Sequence, residues 1–187
     1  MLLLQSPSMV INAHDAPWPR YRMWATVNAK PGTTPEDVVN QIIGVNRLAL
    51  AMAGRRLANV VINCHGADGG GALYVGGEDH PEVRLNMDRV GVFSRLKPHN
   101  IGTLWLVACQ AAAGYLGKQL CQATATLGGL QVVAADQDQD TGVWGGWRVA
   151  TGRSGLIDEF EGTVWRFTVV GKASPIDPHE AIYTILE

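Results

Sequence analysis

Three short apolar runs constrain the fold more than any other feature: LANVVIN at 57–63, IGTLWLVA at 101–108 and LQVVAAD at 130–136. Each is apolar at consecutive positions rather than at every second one, and β-branched side chains are frequent. Each therefore reads as a strand buried on both faces. Segments of helical spacing separate them. In PGTTPEDVVNQIIGVNRLALAMAG (31–54), Val38, Val39, Ile42, Ile43 and Leu50 form a broad apolar stripe. Thr34 suits the helix cap, Pro35 the first helical position and Asp37 the position three after the cap, with Gly54 as the stop. MDRVGVFSRL (87–96) reads as a short helix. Residues 112–127 carry Leu116, Leu120, Ala123 and Leu127 at helical spacing before Gly128 and Gly129. Doubly buried strands alternating with helices predict an α/β fold: a three-layer α-β-α sandwich with a mostly parallel central sheet and helices on both sides.

The flanks are less patterned. VIN at 10–12 reads as a short strand and YRMWATVNA at 21–29 as a better one. Glycines bracket ALYV in GADGGGALYVGGED (66–79), which suggests a small hairpin. From residue 137 onward the chain turns acidic, glycine-rich and aromatic, and GTVWRFTVVGK (162–172) reads as a strand. The expected organisation is one domain over 1–187, with a core at about 21–136 and a loop- and strand-rich C-terminal extension at 137–187. No linker or internal repeat is apparent.

The formal net charge is −2, which argues against a nucleic-acid surface or a polybasic membrane patch. No apolar stretch reaches the roughly 18 residues of a membrane span, and MLLLQSPSMV lacks the basic flank and length of a secretory leader. Three scattered cysteines, Cys64, Cys109 and Cys121, do not make a disulfide framework. The default expectation is a cytoplasmic chain with no cofactor and no metal. A signal-less route of secretion is left open.

Two of the buried runs stop on reactive side chains: VVINCHG on His65 and LWLVACQ on Cys109. In open parallel sheets, ligands bind beyond the carboxyl ends of the strands. If these two strands are neighbours, their ends lie roughly 5 Å apart, and imidazole and thiol share one rim. An imidazole takes the proton of a thiol that is otherwise mostly un-ionised at neutral pH, and a helix beginning soon after Cys109 would favour thiolate. Gly66 would let a substrate carbonyl come close. The amides of Gly66 and Cys109 are candidate oxyanion donors. The expected chemistry is acyl transfer from a peptide.

A strand ending in His-Gly followed later by a strand ending in Ala-Cys resembles the caspase-like cysteine peptidases (clan CD), a group that includes caspases, metacaspases, clostripain-like enzymes, separases and toxin self-processing domains. NCHGADGGGALYVGGED is similar to the His-Gly segment of caspases, where a glycine-bearing hairpin follows the histidine. The likeness covers roughly 57–136. It implies His65 as general acid/base, Cys109 as nucleophile, the Gly66 and Cys109 amides as oxyanion donors, and a polypeptide substrate as partner. The chain departs from the pattern in two places. CQAAAG has its first glycine at Gly114, and Val107 stands where metacaspases carry an acidic reader of basic side chains. Asp136, Asp138 and Asp140 in the acidic loop, and Trp144 beside it, are further candidates for substrate contact. Two rivals stay open: an inactive caspase-like binding or scaffold protein, and a thiol acyltransferase or hydrolase acting on a small molecule. Cys64 and Cys121 are read as core packing, and His14, His80, His99 and His179 as surface.

Overall fold

The central sheet has seven strands, and the computed structural model describes it through residues 2–16, 20–139 and 155–183. In chain order the elements are β1 (Leu2–Leu3), β2 (Ser8–Asn12), β3 (Ala25–Asn28), α1 (Pro35–Ala53), β4 (Asn59–Asn63), β5 (His65–Gly66), β6 (Ala72–Tyr74) and β7 (Leu85–Asn86). A 3-10 segment, Val90–His99, precedes β8 (Thr103–Val107), α2 (Gly114–Gly128) and β9 (Gln131–Ala135). Then follow β10 (Leu156–Ile157), β11 (Val164–Phe167), β12 (Ala173–Pro175) and α3 (Pro178–Tyr183). The sheet runs β12-β11-β9-β8-β4-β2-β3. Strands β3, β2, β4, β8 and β9 are parallel, and β11 and β12 close one edge antiparallel.

Both faces of the sheet carry helix among the described residues, but unequally: α1, the 3-10 segment and α2 lie on one face and the short α3 on the other. Val38, Val39 and Ile42 of α1, Phe93 and Leu96 of the 3-10 segment, and Leu120, Cys121 and Ala125 of α2 share one core with Ile11, Ile62, Leu106 and Ala134. Connectivity explains this. The steps β3 to β4, β4 to β8 and β8 to β9 all advance the same way along the sheet, and right-handed crossovers that advance together fall on one side. The step β2 to β3 runs backward, and its residues Tyr21 and Met23 cover the opposite face. There they join the alternating strand residues Val10, Val61, Trp105 and Val133, with Leu2, Ile157 and Ala181 beside them. That second layer is a two-stranded ribbon of β1 and β10 plus the short α3.

The expected weights of the two N-terminal strands are reversed. The short VIN run is the heart of β2, fully buried between β3 and β4, whereas 21–29 yields only the edge strand Ala25–Asn28. Tyr21 and Met23 leave the sheet to pack over it. The sheet thus begins upstream of 21–136 and continues past it to β12. The single strand expected at 162–172 is a hairpin, because Thr168–Lys172 turns, with the Thr168 amide donating to the Lys172 carbonyl at 3.0 Å and Gly171 at φ 82°. The expected helix at 31–54 is α1. The Thr34 hydroxyl accepts from the Asp37 amide at 3.1 Å, the Asp37 carboxylate accepts from the Thr34 amide at 3.0 Å, and Gly54 ends the helix at φ 65°. No helix among the described residues is long and apolar enough to cross a membrane.

Candidate functional site

β4 and β8 are adjacent and parallel, paired from Asn59↔Thr103 to Asn63↔Val107. The Cys64 amide extends the ladder by donating to the Val107 carbonyl at 3.2 Å. His65 and Cys109 therefore emerge from neighbouring strand ends, on the same rim. The residue after His65 touches the Cys109 backbone: a Cβ placed on Gly66 would lie 1.9 Å from the Cys109 carbonyl oxygen. The Cys109 backbone thus requires the glycine after the histidine, a reason separate from the expected approach of a substrate. Cys109 is half-buried, and its amide has no hydrogen-bond partner among the described residues. His65 keeps about a quarter of its side chain exposed (28%), so solvent reaches both groups.

The tautomer of His65 follows from its partner. Nε2 lies 2.9 Å from the Asp15 carbonyl oxygen, and a carbonyl only accepts, so Nε2 carries the hydrogen. Nδ1 is then the basic nitrogen of the neutral ring, and the Glu78 carboxylate lies 3.7 Å from it. Asp15 also holds Glu78 in place, because its Oδ2 accepts from the Glu78 amide at 2.7 Å. One residue thereby orients both the ring and the acid beside it.

Sequence reasoning placed His14 on the surface and let His14 and Asp15 reach the cleft only if residues 10–15 formed a sheet strand. β2 is a sheet strand next to β4, and its end delivers Asp15 to His65. A signal for this exists in the sequence: VINAH (10–14) and VINCH (61–65) repeat the same pattern. The two copies pair in register, Val10↔Val61, Ile11↔Ile62 and Asn12↔Asn63. The chain leaves β2 toward β3 and leaves β4 toward β8, so the β2–β4 junction is the switch point of the sheet, where α/β folds open a crevice. The junction is pinned by buried amides. Asn63 Nδ2 donates to Asn12 Oδ1 at 3.0 Å, which also accepts from the Tyr21 amide, while Asn12 Nδ2 donates to the Tyr21 carbonyl.

The helix after Cys109 starts later than expected. α2 begins at Gly114, and the intervening turn spends its amides elsewhere: Gln110 on the Gln137 carbonyl, Ala112 on the Ala135 carbonyl, Ala113 on the Gln110 carbonyl. The glycines at 70 and 71 pack closely against the start of α2. A Cβ on Gly70 would lie 2.6 Å from the Ala113 carbonyl oxygen and one on Gly71 would lie 2.8 Å from Leu116 Cβ, so this loop packs on the first turn of α2.

The other thiols are core. Burial pushes the Cys64 thiol far above its ordinary range and Cys121 up to about 12. Asp136, expected at a substrate surface, is engaged internally: its carboxylate accepts from the Thr163 amide at 2.9 Å and the Trp165 indole at 3.1 Å. Partial burial alone would raise its pKa, but these hydrogen bonds and the Lys118 charge hold it below the usual carboxylate range. Asp138 accepts from Gln110 Nε2 at 3.0 Å. Val107 lines a small cleft with Tyr21, Phe160 and Asp158. Asp140 and Trp144 lie outside the described residues. Among the described residues, no three His, Cys, Asp or Glu side chains group as metal ligands. Comparison with protein-family models, with curated proteins and with solved structures gives no match.

Proposed function

We propose that the chain is a caspase-like cysteine endopeptidase, with Cys109 as nucleophile and His65 as general acid/base. The observation that carries this reading is the β4–β8 pairing, which delivers imidazole and thiol from adjacent strand ends, with Gly66 seated on the Cys109 carbonyl. The hydrogen bond from His65 Nε2 to the Asp15 carbonyl supports it further, because it leaves Nδ1 as the nitrogen that handles the proton.

In the proposed reaction the Cys109 thiol gives its proton to His65 Nδ1, and sulfur bonds to the peptide carbonyl carbon. The unpartnered Cys109 amide, with that of Gly66, receives the developing oxyanion. The C–N bond then breaks as His65 returns the proton to the leaving amine. Water, deprotonated by His65, cleaves the thioester to a carboxylic acid and the free thiol.

A peptide-library digestion comparing wild type with Cys109→Ala and His65→Ala tests the reading. Cleavage by wild type that both substitutions abolish is expected, and it would define the preferred side chain. Cleavage unaffected by Cys109→Ala would overturn it. A wild type that turns over small thioesters but no peptide would move the assignment to the acyltransferase class.

A further inference from the structure

We propose that Gln110 is a positioning residue that sets Cys109 against His65, by clasping the loops that follow β4 and β9 to the turn between them. This rests on the dyad reading above. Gln110 directly follows the proposed nucleophile and stands at φ 52°, in the left-handed region that a residue with a side chain rarely enters. Glycine would satisfy that backbone more easily. What the glutamine adds is its amide, which makes two bonds of opposite sense. Oε1 accepts from the Gly69 amide at 2.6 Å, and Nε2 donates to Asp138 Oδ1 at 3.0 Å.

Only a carboxamide of this length does both. A carboxylate cannot donate to Asp138, and lysine or arginine cannot accept from Gly69. Gly69 lies three residues beyond Gly66, in the loop that carries the proposed base. Asp138 lies three residues beyond the end of β9. The main chain of Gln110 adds a third anchor, donating to the Gln137 carbonyl at 2.9 Å. The expected helix-start support for Cys109 is displaced by the late beginning of α2. The Gln110 clasp takes that place: it fixes the turn holding the sulfur to the loop holding the imidazole.

The test is residue-resolved alkylation by iodoacetamide, followed by mass spectrometry of the intact folded protein, with melting temperature recorded for every variant. Gln110→Glu keeps the size and the acceptor but turns a second carboxylate toward Asp138. It is expected to slow alkylation of Cys109 by between about 10- and 100-fold, as small misplacements of reacting groups do. Combining it with Asp138→Asn reverses the donor and acceptor roles and is expected to restore most of the rate. Gln110→Gly relaxes the backbone while removing the clasp. It is expected to melt at or above the temperature of Gln110→Ala and yet lose Cys109 reactivity to the same degree, which a purely stabilising role would not produce. A wild-type rate in Gln110→Gly, or no recovery in the double variant, overturns the proposal while leaving the dyad intact. A wild-type Cys109 no faster than Cys64 and Cys121 overturns both.

Discussion

Gly66 has no room for a side chain, since a methyl group there would collide with the Cys109 carbonyl. Gly66→Ala is therefore expected to push the two proposed catalytic loops apart, lowering stability by about 1–3 kcal/mol, the usual cost of overpacking. Urea denaturation measures the loss, and Cys109 alkylation should fall in the protein that remains folded. The glycine itself was legible in the sequence, but this steric reason for it was not. His-Gly suggested access for a substrate, whereas the close neighbour is the chain's own backbone, a fact that only the registration of β4 with β8 reveals. Asp15 was legible only on the condition that 10–15 formed a sheet strand. Its contribution to His65 comes through a main-chain carbonyl, which any residue type supplies, so that role left no mark in its identity. Cys64 was the clearer case. A side chain next to His65 on an extended strand points the opposite way, and it lies in the helix-covered core.

Among the elements, α1 carries one carboxylate that the fold holds low, Asp37, and the turn just past β9 carries another, Asp136, bonded to Thr163 and Trp165. Hydrogen bonds from the Thr34 amide and hydroxyl hold the Asp37 carboxyl below its ordinary value, and Asp136 is held low by the partners described above. A carboxylate depressed in the folded state contributes stability that is fully present above the unfolded value of about 3.9 and is lost as pH falls through the lower folded value. Melting temperature should accordingly hold steady above about pH 5 and decline below about pH 4, with a shallower acid decline in Asp37→Asn. A decline of unchanged steepness would show that the Asp37 carboxylate contributes nothing to it. Thr34→Ala, which removes the cap, should cost about 0.5–2 kcal/mol at neutral pH. Asp136→Ala strips the Thr163 amide and Trp165 indole of their acceptor, and should cost about 1–2 kcal/mol in urea titration. It should also loosen Trp165, over whose ring Lys118 sits at 3.5 Å; indole fluorescence would report this. The capping box of α1 was readable because Thr34, Pro35 and Asp37 are neighbours in sequence. The Asp136 contacts were not, because they join positions 27 and 29 residues apart.

The arrangement of the whole molecule puts the ends of β2, β4, β8 and β9 on one rim, and the loops that follow them supply Asp15, His65, Cys109 and Asp138. Composition and periodicity led to a parallel sheet, since runs such as VVIN and LWLV leave no face for water. They did not lead to the crossover helices all lying on a single side. That outcome depends on the direction of each crossover, and the one reversal, from β2 to β3, is encoded in which apolar side chains of 20–24 find the far face. The same reversal creates the switch point at β2 and β4, and with it the place where His65 meets Asp15. The in-register echo of VINAH and VINCH is the one trace of that junction in the sequence. The central claim is that this topology makes one thiol of three chemically distinct. Residue-resolved iodoacetamide labelling of the folded protein at neutral pH, in wild type and in His65→Ala, addresses it most directly. The account predicts that Cys109 is modified first while buried Cys64 and Cys121 are protected, and that His65→Ala slows Cys109 by about tenfold or more, through loss of the proposed base. Equal rates at the three cysteines, or a Cys109 rate indifferent to His65, would contradict it.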